Sequence, residues 1–463
     1  MEHPSPLDAT VAETLRSSGG LVFLNTVFGG GAYRYLEYRS RRVPVLSIGV
    51  RNRGKVPIEW MWNGEKRTFQ AASLETALQL SGTRDIHINH LVFAGPPATW
   101  MRRLGRLSKS YRLHMVVHDF FAVCPSVNLL DHRGRYCGIP SESVCNDCLW
   151  QLSVSPDATQ FSRVFAGKHP EASREGIHAW RREWGGILGL MDTVTFPSAS
   201  ARDLVRKAYP GLDTSRCRVV PHEVVPLRPP ARTKESGLGI LEVCLVGEIT
   251  DHKGARILDA MLSMARSGSM PIRFRVVGKF SYAAKHRDNP HLLETGLYHP
   301  GELQGILERH PVDVFLFPSI WPETFSYVVH EMMGTGLPIL ATRIGAHGEA
   351  LANYPSAILV DDFDAPTFME ALRDLLQRST NEGYVSEGGT TIASAAAMAR
   401  LQADWKEAMF ESMYKRIHHL EGRIARLEKR HDWTRKLTLG HILGALQRRF
   451  RRLTESIRRM SLR

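Results

Sequence analysis

The stretch WPETFSYVVHEMMGTGLPILAT, residues 321–342, places two glutamates, Glu323 and Glu331, eight positions apart. An apolar run ending in FLFPS precedes it and LPILAT closes it. Short apolar runs flanking a segment of helical pattern read as buried parallel strands joined through TFSYVVHEMMGTG as a helix. Glu323 then falls in the loop after the first strand and Glu331 roughly two turns into the helix. Both lie near the carboxyl edge of the sheet, where open α/β sheets bind ligands and helix N–H groups favour phosphate oxygens. A carboxylate there accepts hydrogen bonds from sugar or ribose hydroxyls, which suits a nucleotide sugar. The competing reading makes Glu323 a helix cap and Glu331 a solvated surface residue.

Working outward, the same alternation runs through the chain. LVFLNTVFGGGAYRYLEYR reads as strand, tight loop and helix, and VPVLSIGV, IHINHLVF and LHMVVHDFF as further buried strands with room for crossover helices between them. A parallel sheet is the expected arrangement. PLRPPARTKESGLG, residues 226–239, is rich in Pro, Arg and Gly and reads as an interdomain linker. LEVCLVGE, IRFRVVG and VDVFLFPS resume the strands beyond it. The expected organisation is an N-terminal α/β domain at 1–225, the linker, a second α/β domain at 240–395 and a helical tail at 396–463.

The stretch extended to FPSIWPETFSYVVHEMMGTGLPILATRIGAHGE resembles the E-x7-E signature of retaining GT-B-fold glycosyltransferases of the group 1 or family 4 type. The resemblance implies two Rossmann-like domains facing a cleft. It implies that Glu331 binds the nucleotide ribose, that Glu323 contacts the donor sugar near the reacting carbon, and that the amides of Phe325, Ser326 and Tyr327 meet sugar hydroxyls or phosphate. CLVGEITDHKGARILDAM resembles the family's glycine and K-G phosphate motif, which puts Lys253 on the departing diphosphate. Many members carry Arg directly after the strand glycine; this chain has Glu248, so a second cation must come from elsewhere or be missing. Gly29, Gly30 and Gly31 match the glycine-rich loop near donor phosphate, and MVVHDFF resembles the strand-end His, which gives His118 a place at the reaction centre with Asp119 orienting it. The activity implied is a hexosyltransferase-like, metal-independent transfer with retention. Two rivals stand beside it: a catalytically silent GT-B module that binds a glycan or scaffolds an assembly, and an epimerase on the same fold.

Cys124, Cys137, Cys145 and Cys148 crowd into CPSVNLLDHRGRYCGIPSESVCNDC. The closing C-N-D-C lets two thiolates reach one ion, and four sulfurs complete a tetrahedral structural zinc site with no position left for an activated water. An iron–sulfur cluster uses the same ligands, and four reduced thiols without metal are the third reading. HDFFAVCPSVNLLDHRGRYCG resembles a subset of polysaccharide-building glycosyltransferases, which implies work on O-antigen, capsule or exopolysaccharide with a saccharide or lipid-linked acceptor.

The chain has 463 residues and a net charge of +13. Residues 415–463 hold 15 Lys or Arg against 4 Asp or Glu, so the basicity belongs to the tail. Ile417, Leu420, Ile424 and Leu427, and later Ile442, Leu446, Phe450, Leu453, Ile457 and Met460, form apolar stripes on otherwise basic helices. An anionic membrane surface, a partner helix and nucleic acid are the three readings, and the last lacks aromatic interleaving or a named motif. No apolar run spans a bilayer, and the opening residues lack a signal-peptide core, so the expected place is the cytoplasm, on the inner face of the membrane. Asp362 and Asp364 in DDFDAP match a metal-holding Asp-x-Asp only in spelling, because they fall downstream of the E-x7-E helix. No Walker loop, nucleophile elbow or HExxH motif is present.

Overall fold

The computed structural model describes residues 9–26, 30–50, 55–92, 94–154, 170–229 and 240–381. Gly29, residues 230–239 of the expected linker and the tail expected at 396–463 lie outside them.

The first sheet contains β1 (Leu21–Asn25), β2 (Val45–Gly49), β3 (Val56–Trp62), β4 (Glu65–Ala71), β5 (Asp85–Ile88), β6 (Arg112–Val116), β7 (Thr193–Phe196) and β8 (Cys217–Val219). Their order is β4-β3-β2-β1-β5-β6-β7-β8. β2 pairs with β3 and β3 with β4 antiparallel, and the other pairs are parallel. The expectation of a parallel sheet therefore fails at this edge. Trp62-Asn63-Gly64-Glu65 is a two-residue hairpin turn with φ of 49° at Asn63 and 84° at Gly64. Asn-Gly favours this turn because both residues tolerate positive φ and its twist matches that of the strands. Ile58, Trp60 and Phe69 bury the inner face of the hairpin, while Lys66 and Arg67 stay outside.

The second sheet contains β9 (Leu241–Ile249), β10 (Ile272–Phe280), β11 (Leu292–Glu294), β12 (Val314–Phe317), β13 (Ile339–Thr342) and β14 (Ala357–Val360). It is all parallel. Leu241, Val243 and Leu245 of β9 pack into one core and Cys244 and Val246 into another. Apolar layers cover both faces, which is why the strand reads as a continuous apolar run rather than an alternating one.

The strand order β11-β10-β9-β12-β13-β14 fixes where a ligand can sit. The chain winds outward from β9 to β11 and then restarts at β12 on β9's other side. The two loops leaving β9 and β12 thus part in opposite directions and open a crevice between their carboxyl ends. The first sheet repeats the device between β1 and β5. The loops after β9 and β12 carry Lys253 and Glu323; the helix after β1 opens with Gly30 and Gly31, and the loop after β5 carries His90. All five residues line one cavity of about 1320 Å³. These are two Rossmann-like halves facing a cleft.

Two glycines clamp the loop after β12. Gly254, at φ 84°, opens the helix Ala255–Ser267, and a Cβ there would stand 2.1 Å from the Pro318 carbonyl oxygen. Gly345, at φ 58°, would put a Cβ 2.5 Å from Pro322 Cα, and the next amide, Ala346 N–H, donates to the Glu323 carbonyl. Hydrogen bonds also tie the halves together across the cleft. Thr324 Oγ1 donates to the His118 carbonyl at 2.8 Å, and Ser198 Oγ to the Thr324 carbonyl at 2.9 Å. The Glu349 carboxylate accepts from the Ala199 and Ser200 amides, at 3.0 and 2.6 Å, at the start of the helix Ala199–Ala208. The first linker residues are not loose: Leu227 N–H donates to the Glu331 carbonyl and its side chain packs on the second domain's core.

Gly254→Ala is expected to lose about 2 kcal/mol or more of stability, since both the left-handed backbone and the Pro318 contact oppose a methyl group. Urea unfolding followed by circular dichroism measures it; a loss below about 0.5 kcal/mol would show that the loop yields freely.

Candidate functional site

Glu323 lies in the irregular loop after β12, and its carboxylate is buried. Oε1 has no hydrogen-bond partner among the described residues. Burial pushes its carboxyl above the ordinary value, and Lys253 draws it partly back. Lys253 stands in the short turn Asp251–Lys253 after β9, with no ion-pair partner within 4 Å among the described residues. Two further buried polar atoms of the lining lack partners in the same way, Trp321 Nε1 and Tyr327 Oη. Buried polar groups are seldom left unpaired, so three such atoms in one cleft mark a surface shaped for a polar ligand.

The helix holding Glu331 is Tyr327–Met333, shorter than the expected segment, so Glu331 stands little more than one turn in. Ser326 caps it, its Oγ accepting from Val329 N–H at 3.4 Å. Glu331 is 7% exposed, which removes the surface-residue alternative. Its Oε1 pairs with Arg34 Nη2, from the helix Gly30–Arg39 of the other half. Burial still holds the Glu331 carboxyl above its ordinary value against the pull of Arg34. Phe325 stacks on His330 at 4.3 Å, and no hydrogen bond among the described residues uses the amide of Phe325 or Ser326.

His118 follows β6 and lines the cavity. The partner that orients it is Asn89, not Asp119. Asn89 Nδ2 donates to the Asn25 Oδ1 and Ala32 carbonyl oxygens at 3.3 and 3.2 Å. Its Oδ1 therefore faces His118 Nε2 at 2.7 Å and accepts a hydrogen bond from the N–H there, leaving Nδ1 as the ring's acceptor. Asp119 instead accepts from Phe121 N–H and from His90 Nε2 at 3.2 Å. Burial, with His222 and His90 nearby, keeps His118 neutral by pushing its pKa well down.

The structure adds residues that no motif marks. His222, between β8 and the linker, lies against Tyr35, His118 and Phe325 with ring centroids 4.7, 5.1 and 4.8 Å away, and burial pushes its pKa down to about 3. Arg34 sits 4.7 Å from the Tyr327 ring centroid, and Tyr327 stacks on Tyr38. Only a three-dimensional contact between segments far apart in the chain brings these groups to the site. Glu248 is exposed and outside the cavity lining.

Cys124, Cys137, Cys145 and Cys148 pack against one core. Among the described residues no group of three or more His, Cys, Asp or Glu side chains is placed to hold a metal ion. Cys124 Sγ lies 3.3 Å from Ser126 Oγ and Cys145 Sγ 3.7 Å from Arg181 Nη2. Burial raises all four thiols, Cys137 and Cys148 to about 12. Asp364 accepts from Thr367 N–H at the start of the helix Ala365–Asn381, an ordinary cap outside the cavity lining. No helix among the described residues is long and apolar enough to cross a membrane.

Residues 241–378 match a family model described as Glycosyl transferases group 1. A D-inositol 3-phosphate glycosyltransferase of Pseudarthrobacter chlorophenolicus is 23% identical over 277 residues, covering 55% of this chain and 63% of that protein. The Corynebacterium urealyticum protein of the same name is 33% identical over 147 residues, 28% of this chain and 34% of its own. The match spans less than two thirds of either relative. Among solved structures, sucrose-phosphate synthase from Thermosynechococcus elongatus aligns at a TM-score of 0.48 and 15% identity, over 87% of this chain and 99% of that one. Anabaena HepE in complex with UDP-glucose aligns at 0.46 and 13%, over 86% and 99%.

Because burial raises the Glu323 carboxyl, its ionisation costs native stability as pH rises through the window above 4.5. Glu323→Gln removes that cost. The variant is expected to unfold at higher temperature than wild type at pH 7.5, with the gap closing as pH falls to 4.5. A gap that stays constant or widens toward low pH in thermal scans contradicts the assignment.

Proposed function

We propose that the chain, whose residues 241–378 match the group 1 glycosyltransferase family model, moves a sugar from a nucleotide-sugar donor to a saccharide or lipid-linked saccharide acceptor. The observation that carries this reading is the pair of buried carboxylates, Glu323 and Glu331, beside Lys253 at the switch point of the second sheet. A sugar and a ribose offer neutral hydroxyl donors to such carboxylates, whereas an anionic group there would be repelled. A single small ligand fills about 300–1,000 Å³; the cleft, at about 1320 Å³, has room for donor and acceptor together.

In the transfer, the bond between the anomeric carbon and the diphosphate oxygen breaks, and its electron pair leaves with the diphosphate. The acceptor hydroxyl oxygen forms the new bond on the same face of the sugar, and its proton goes to the departing phosphate oxygen. Configuration is retained. Lys253 neutralises charge that grows on the leaving group, a contact stronger in the transition state than in the ground state. Glu323 holds the sugar by its hydroxyls, and His118 offers Nδ1 as a further acceptor. These residues supply positioning and charge without a metal. The basic stretch 415–463 supports a lipid-linked acceptor at an anionic membrane surface, and the HD, CP and YCG words support surface polysaccharide as the product.

Thermal unfolding with UDP, GDP and dTDP, each with EDTA, tests the reading. A bound diphosphate at about a hundred times its Kd adds about 2.7 kcal/mol. A rise in midpoint of several degrees with one nucleotide, kept in EDTA and lost in Glu331→Ala, is expected. No rise with any of them would favour a silent module.

A further inference from the structure

We infer that Arg34 shares Glu331 with the donor's ribose: when the ribose takes that carboxylate, the guanidinium turns to the diphosphate as the second cation beside Lys253. This rests on the glycosyltransferase reading above.

Arg34 is well placed for the exchange. It follows Gly30 and Gly31 by four and three residues on the helix Gly30–Arg39, so it shares their face. A Cβ on Gly31 would meet Tyr327 Cε2 at 3.9 Å, and the guanidinium lies over that same ring at 4.7 Å. The glycine turn, Tyr327 and Arg34 thus form one wall of the cleft, with Glu331 beside it. The Arg34 side chain is 22% exposed, and its guanidinium lies over two aromatic faces, Tyr327 at 4.7 Å and Tyr38 at 5.7 Å.

Charge balance in the cleft requires such a residue. A nucleoside diphosphate brings two or more negative charges beside two buried carboxylates. His118, His222 and His252 are held neutral by burial. Of the other lining cations, Lys66 pairs with Glu37 at 2.7 Å and Arg228 with Glu308 at 3.9 Å, while Arg41 lies over the Tyr38 ring at 4.5 Å and, unlike Arg34, has no ion pair with either buried carboxylate among the described residues. Position 248, directly after the strand glycine Gly247, holds an exposed glutamate. Lys253 alone is outnumbered. When ribose hydroxyls replace Arg34 on Glu331, the carboxylate keeps its hydrogen bonds, and the guanidinium exchanges one ion pair for another of higher charge.

The experiment compares binding of UDP, GDP, ADP and dTDP by titration calorimetry with binding of the matching nucleosides by ligand-detected NMR, using the full chain. For whichever diphosphate binds wild type, Arg34→Ala is expected to weaken it about ten- to hundredfold. The same variant is expected to bind the nucleoside as well as wild type or better, because a competitor for Glu331 is gone. Arg34→Gln keeps a planar group over Tyr327, shares the expected signs and serves if the alanine variant does not fold. Equal weakening of diphosphate and nucleoside would make Arg34 a structural tie and overturn the inference alone, as would an unchanged diphosphate affinity. If no diphosphate binds wild type, the glycosyltransferase reading falls and takes this inference with it.

Discussion

Holding ionisable carboxylates out of water is the constraint on which the rest of this cleft depends. Burying a carboxylate costs several kcal/mol unless charge and hydrogen bonds compensate it. Glu331 is compensated by Arg34, which reaches it from the other half of the molecule. Glu323 is compensated only in part: one oxygen has no partner, Lys253 acts on it as a nearby charge, and with Ser326 and Trp321 it offsets burial incompletely. A fold that keeps such a group does so against its own stability, which is how sites of recognition differ from cores.

The topology makes this arrangement possible. Two sheets, each with a strand-order reversal, turn their crevices toward one cavity, so four loops meet although their residues lie hundreds of positions apart. Backbone geometry then sets the fine position of Glu323. Gly254 and Gly345 approach its loop so closely that a side chain at either would push it. Thr324 of that loop and Glu349 of the helix Gly345–Leu351 carry hydrogen bonds to His118, Ser198 and Ala199 of the first half. The carboxylate and the closure of the cleft are thus mechanically joined, and a change in one reaches the other through short, directional contacts.

The parts legible in the sequence are those whose signals are local. The apolar runs of β1, β2, β9, β10 and β12, buried at nearly every position, and of β5 and β6, buried in part, read as strands, and the loop and helix that carry Glu323 and Glu331 sit between two such runs. The hairpin at Asn63-Gly64 carries an equally local signal that a parallel reading passes over. Other features depend on distance. Asn89 takes the place expected of Asp119 beside His118 because β5 and β6 are neighbours, which no pattern near residue 118 states. Arg34 and His222 look like a helix surface residue and a linker histidine until the halves meet.

The central claim is that the donor's ribose rests on Glu331. Saturation-transfer difference NMR with UDP-, GDP-, ADP- and dTDP-sugars tests it most directly. For the donor that binds, the account predicts strong saturation of the ribose protons, lost in Glu331→Gln while that variant stays folded. Saturation confined to the sugar, or a ribose signal unchanged in Glu331→Gln, would contradict it.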